Sequence, residues 1–276
     1  MPLTSKLCLL LGLSAVLLAP RSARATERHF GFSYESSVLN PGTAELAPWT
    51  TARAGRVDYY SRIDARLAFA YGLLKNLDGA LFWNFQSVAQ DVLVPAATHT
   101  VRLSETDFQS LSLDLKYKFS DPVADVLGCA LYVEGTIGPQ IDGFEGRLIL
   151  DKQVGSLLFA ANLVGGRSEK LDGSGIEVDG SSPREGLFGG TLAAAYFVTP
   201  TFAPSLEARS ENQFSDGLDR SVVYLGPGLS LMTEGWWATL AVEPQIAAFK
   251  GASKGHQLDL DQNERLQARL LLGFHI

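Results

Sequence analysis

The chain has 276 residues, with 23 lysines and arginines against 30 aspartates and glutamates, a formal charge of −7 and a hydrophobic fraction of 46%. An acidic excess argues against nucleic acid and other polyanionic partners. After the first 25 residues no apolar run approaches the ~18 residues of a transmembrane helix, and short alternating runs with 27 glycines suggest an all-β chain forming one large barrel or sandwich.

Lys6, the apolar run Leu7 to Leu18 and Ala23-Arg24-Ala25 have the layout of a secretory signal peptide cleaved before Thr26. Residues 1–25 are therefore expected to be removed, leaving 26–276 as the folded domain. Cys8 leaves with the signal, so Cys129 stands alone and no disulfide is expected within the mature chain.

From His29 to Val38, HFGFSYESSV puts Phe30, Phe32, Tyr34 and Val38 on one face and predicts the first strand. A polar, proline-bearing connection is expected from Asn40 to Gly55. The second strand, YYSRIDARLAFAYGLL, sets Ile63, Ala65, Leu67, Phe69 and Tyr71 opposite Arg62, Asp64, Arg66, Ala68 and Gly72. Lys75 to Gly79 reads as a hairpin, with Asp78-Gly79 suited to a tight reversal. The third strand runs from Ala80 to Val94 with apolar residues on both faces. After Pro95 to Glu105, the fourth strand (FQSLSLDLKYKF) alternates Leu111, Leu113, Leu115, Tyr117 and Phe119 with Asp114, Lys116 and Lys118, and Asp121-Pro122 closes it.

Further strands are expected at Gly128 to Ile137, Phe144 to Leu150, Ser156 to Gly166, Leu187 to Val198, Ala203 to Asn212, around Val223 to Leu231, Trp236 to Phe249, and Arg265 to Ile276. Polar connections fall at Arg167 to Gly186, Asp216 to Arg220 and Gly251 to Asn263. The last strand alternates Leu266, Ala268, Leu270, Leu272, Phe274 and Ile276, with Leu271 as the one apolar residue on the other face. The count is twelve. Connections alternate between short and mostly long, as expected of short periplasmic turns and longer external loops.

Alternation alone also fits a soluble barrel. Aromatics decide for lipid: Phe30, Phe32, Tyr71, Tyr117, Phe119, Phe197, Phe202, Trp236 and Phe274 fall at the short-turn rim, and Tyr59, Tyr60, Phe108 and Phe249 near the other. Charge decides too. Glu35, Arg62, Asp64, Arg66, Asp114, Lys116, Lys118, Glu134, Glu145, Arg147, Glu207, Arg209, Glu211, Glu243, Arg265 and Arg269 fall on the polar faces. A dry core could not take that set, because an unpaired buried ion costs several kcal/mol, so these residues are the candidate lining of a lumen. Inward glycines at 72, 226, 228 and 273 would leave room. The signs balance, which predicts weak ion selectivity for an open pore.

The mature chain resembles bacterial outer-membrane β-barrels, in particular twelve-stranded channels and hydrocarbon or phenol meta-pathway transporter-like proteins. The resemblance rests on FAYGLLKNLDGALF, LDLKYKFSDP and the terminal LLLGFHI. It implies one antiparallel up-and-down transmembrane barrel in the outer membrane of a Gram-negative-type bacterium, with membrane lipid and the barrel assembly machinery as partners. A porin-like passive channel or transporter for small solutes is the first functional reading. A non-conducting structural or adhesion barrel with a charge-filled lumen is the alternative, and an outer-membrane lipid hydrolase a further one. No enzyme activity, metal or cofactor is expected: Ser104 near His99 is the one close serine–histidine pair, with His29, His256 and His275 dispersed, and His256 beside Asp259 and Asp261 is a thin ligand set.

Overall fold

A computed structural model describes residues 28–94, 99–171 and 184–276. Within them lie twelve strands: β1 (Ala44–Ala54), β2 (Tyr60–Leu74), β3 (Leu77–Val94), β4 (His99–Ser120), β5 (Gly128–Ile137), β6 (Ile141–Val154), β7 (Leu157–Lys170), β8 (Arg184–Tyr196), β9 (Phe202–Phe214), β10 (Leu218–Met232), β11 (Trp236–Lys250) and β12 (Leu266–His275). Each pairs antiparallel with the next, and β12 pairs with β1 to close a transmembrane barrel. Closure leaves no sheet edge in the hydrocarbon layer, where an unpaired backbone group would cost several kcal/mol.

The strand faces divide as their alternation dictates. Leu113, Leu131, Leu163, Leu192 and Leu206 are exposed on the outer surface, while Asp114, Tyr132, Asn162, Ala193 and Glu207 are buried inside. Rings mark both rims: Tyr71, Tyr117, Phe119 and Trp236 lie exposed near the short turns, and Tyr59, Phe108 and Phe249 near the opposite end. Leu271, the apolar residue on the polar face, points inward and packs with Met232, Trp237 and Trp49.

The expected first strand is not a strand. His29 to Val38 is irregular and almost wholly buried, and β1 instead occupies the stretch expected to be a connection. The misreading has a physical cause. The outward face of β1 carries Ala44, Leu46, Pro48, Thr50, Ala52 and Ala54, a weak apolar stripe, and Pro48 interrupts the β1–β12 ladder, which passes from Leu46↔Phe274 to Trp49↔Leu271. Phe30, Phe32 and Tyr34 alternate because they wedge into the barrel interior, and Phe30 and Phe32 belong to no lipid-facing belt.

Two smaller readings also change. The reversal between β2 and β3 is Lys75-Asn76, and Asp78-Gly79 already lies in the β3 ladder with the Asp78 carboxylate turned inward. Several external connections are shorter than expected because the strands run on: β4 spans 22 residues, roughly twice what a tilted strand needs to cross a bilayer. The connection Arg167 to Gly186 is partly ladder, since β7 reaches Lys170 and β8 starts at Arg184; residues 172–183 and the expected signal peptide lie outside the described residues. The turn after β4 is built on Asp121, whose carboxylate accepts from the Val123 and Ala124 amides at 2.9 and 3.1 Å. Those bonds hold its pKa below the usual carboxylate range.

Candidate functional site

The interior of the barrel is divided by its own N-terminal segment. Residues 28–39 enter beside the β8–β9 turn, where the His29 ring meets Phe197 edge-on at 5.0 Å, and leave beside β2, where the Gly42 amide donates to the Gly72 carbonyl. Between those points the segment has no strand partner, so its buried amides need side-chain acceptors. The wall supplies them. Glu207 accepts from the amides of Gly31, Phe32 and Ser33 at 2.6 to 2.9 Å. Asn162 clamps Tyr34 at both ends, accepting from its amide and donating to its carbonyl. Asp151 and Asp78 take the amides of Ser36 and Leu39, each at 2.9 Å. Within the segment, Glu35 accepts from the amide and ring of His29.

Packing adds to those bonds. Phe30 sits fully buried in a hollow of small inward residues, Ala160, Ala193, Ala195 and Ala203. Tyr34 packs edge-on to Tyr132 with their centroids 5.2 Å apart. Glycines expected to leave room are filled: a Cβ at Gly72 would lie 2.0 Å from the Asn40 carbonyl, one at Gly273 2.1 Å from the Trp237 indole nitrogen, and one at Gly228 2.4 Å from the Ser205 hydroxyl. Gly226 gives no room either, since its Cβ would meet the Val242 carbonyl at 1.8 Å.

On the external side of the segment lies a cavity of 360 Å³ whose lining includes Phe32, Trp49, Arg53, Arg62, Asp64, Arg66, Glu134, Glu145, Arg147, Arg209, Glu211 and Arg269. On the periplasmic side a cavity of only 70 Å³ remains, lined among others by Arg28, Glu35, Glu45, Asp78, Asp114 and Lys116. Tyr34 and Trp49 border both. The segment is thus the partition between two compartments of one lumen.

Ion pairs line the external compartment. Asp64 bridges Arg53 at 2.7 Å and Arg62 at 2.6 Å, Arg66 reaches Glu134 at 2.7 Å, and Arg147 reaches Glu145 at 2.6 Å. Arg209 bonds Glu243 at 2.9 Å, Glu211 and Gln267, and its guanidinium covers the Phe32 ring. Facing pairs in a low-dielectric interior hold long side chains against the wall and keep the centre clear.

Of the sixteen candidate lining residues, fourteen occupy inward strand positions. Glu35 is in the plugging segment, and Arg265 precedes β12 as an exposed residue at the external rim. Lys116 lies 3.9 Å from Asp78, and Lys118 pairs with Asp121 at the periplasmic end. Sequence reasoning passed over Trp49, Thr51, Arg53, Asp78, Asp151, Asn162 and Glu264. The last four were in assigned turns, strand interiors or loops, and the first three in the supposed connection. Glu264 belongs to a folded stretch at the external mouth, where Arg56 donates to it at 2.8 Å and the Gln245 side chain bonds the Asp259 backbone. Of the histidines considered for catalysis, His29 pairs with Glu35, His275 contacts the Glu234 carbonyl, and the side chain of His99 is outside the described residues.

Comparison with known proteins fixes the family and the fold class. Residues 22–276 match the model of a family described as "Family of unknown function (DUF6662)". The chain belongs to that family. No curated protein matches the sequence. Among solved structures the barrel is similar to the COG4313 outer membrane channel from Pseudomonas putida F1, with a TM-score of 0.56 at 13% identity over 87% of this chain and 98% of that one. It is also similar to the NanC porin, with a TM-score of 0.52 at 10% identity over 84% and 100%. A third is the beta domain of the Bordetella autotransporter BrkA, with a TM-score of 0.51 at 10% identity over 86% and 100%. At these identities the likeness is one of fold: this DUF6662 chain has the architecture of outer-membrane channels and porins, with its own lumen chemistry.

Proposed function

We propose that the chain is a channel for small solutes in the bacterial outer membrane, and that residues 28–39 control passage. A single observation carries this reading: the segment separates a 360 Å³ external cavity from a 70 Å³ periplasmic one, and none of its backbone is in the barrel ladder. Side-chain to backbone bonds of this kind can be exchanged for water one at a time, whereas removing a stave would open the barrel. Withdrawal of the segment toward the periplasm would join the two compartments and leave the twelve strands intact. The outward apolar faces and the printed descriptions of the similar structures, an outer membrane channel and porins, support the location.

The test is single-channel recording of the full chain in planar bilayers beside the double variant E207A/N162A, which removes two of the segment's four wall anchors. Brief rare openings in the native protein and long openings in the variant are expected. Silence from both proteins, each still a folded heat-resistant barrel, would instead favour a structural role.

A further inference from the structure

The lining of the external compartment holds six arginines and four carboxylates, and two further carboxylates, Glu243 and Glu264, reach the same arginines from outside it. Five of those arginines have an acidic partner within 2.9 Å. Arg269 is the exception among the described residues. Its contacts are the Thr51 hydroxyl at 2.8 Å, the Gly31 carbonyl at 3.3 Å and the face of the Phe32 ring, all neutral. Arg209 and Arg53 are near enough to repel it. Glu243 is near enough to feel the charge of Arg269 but is bonded to Arg209 and makes no contact with Arg269. A buried guanidinium beside like charges and in contact with no carboxylate attracts an anion.

Register places Trp49 and Arg66 on the neighbouring strands. Arg269 lies opposite Thr51 on β1, and two residues along that strand Trp49 lies opposite Arg66 on β2. The indole N–H of Trp49 and the Nε–H of Arg66 are buried and have no acceptor in the protein. Arg269, Arg66 and Trp49, on three adjacent strands, and Phe32 from the plugging segment therefore line one cavity.

We propose that the external cavity binds a small organic carboxylate, its anionic end on Arg269 and its apolar part against Trp49 and Phe32. The site deepens the channel reading and rests on it, because it names the class of solute that the same lumen would take.

The experiment is calorimetric titration of the refolded full chain in detergent with benzoate and with benzamide, its uncharged isostere. Benzoate should bind at least tenfold more tightly than benzamide. R269Q should lose at least tenfold in benzoate affinity, while D121N, in the exposed turn after β4 and away from the cavity, should retain it. Equal binding of the two probes, no binding of either, or unchanged benzoate affinity in R269Q would overturn the site. Channel openings that persist under any of those outcomes would leave the transport reading standing. Selective benzoate binding by a protein that never conducts would retain the site and remove the channel.

Discussion

The external and periplasmic halves of this lumen are walled by the same twelve strands, yet they are filled in opposite ways. In the external half long charged side chains pair across strands and leave a 360 Å³ cavity. In the periplasmic half many inward positions are small, with Ala68, Ala80, Ala130, Ala160, Ala193, Ala195 and Ala203 all buried, and a stretch of the chain itself occupies the space they leave. The difference teaches that strand alternation fixes which face looks inward and says nothing about what that face meets. Inward charges mean water or ion pairs, whereas inward alanines mean that something else packs there.

The sharpest way to break this comparison is to remove the most deeply buried aromatic ring of the segment. Phe30→Ala empties the alanine-lined hollow and should weaken docking of the segment by about 3–5 kcal/mol while leaving the strands in place. Hydrogen exchange should then show the amides of Gly31 to Ser36 losing protection with the β2–β3 ladder unchanged. Loss of protection throughout the barrel would mean that the segment is part of the folding core.

A second substitution contrasts the outer surface with the lumen. Leu113→Arg places a charge on the lipid-facing side of β4 and should cost about 2–4 kcal/mol in urea unfolding from lipid vesicles. The inward Lys118, whose pair with Asp121 is partly exposed at the periplasmic end, should tolerate Lys118→Gln at less than about 1 kcal/mol. Equal costs would mean that the two faces are assigned the wrong way round.

Asn162→Ala acts on the boundary between the halves. It leaves the Tyr34 amide and carbonyl without their wall partner, a loss of about 1–3 kcal/mol in docking of the segment. It should raise the rate of protease cleavage near Tyr34 and leave the barrel's melting temperature within a few degrees. The smallest effect is expected outside the membrane. Asp121→Asn weakens an exposed turn by no more than about 1 kcal/mol. Because the Asp121 carboxyl is held below its usual pKa range, its contribution is present at neutral pH and fades as pH falls through that range. The native and variant melting curves should therefore converge in acid.

How much of this was legible beforehand follows from the same physics. β5 and β11 carry strong unlike faces, and their limits, Gly128–Ile137 and Trp236–Lys250, fall within one residue of the expected ones. β1 was hidden because Pro48, Thr50 and Ala52 give its lipid side little apolar contrast, while HFGFSYESSV alternates for a different reason, aromatic wedges spaced by small residues under tight walls. The plug had left a trace in the inward alanines of β7, β8 and β9. Its anchors had not, since Glu207 and Asp151 look from sequence like any other lumen carboxylate. Only the fold reveals that they accept backbone amides rather than pair with arginines.

The central claim, that residues 28–39 lie across the lumen and must move for solute to pass, is tested most directly by locking them there. A Cβ at Gly128 would lie 2.7 Å from the Ser36 hydroxyl and 2.2 Å from the Asp151 carboxylate, which must turn aside; the two Cβ atoms then fall near the ~3.5–4.5 Å that a disulfide spans. In a C129S background, the variant S36C/G128C should form that bond in the folded protein and then give no channel openings, with openings returning on reduction. Openings of the same size and frequency in the fully cross-linked and reduced states would contradict the account.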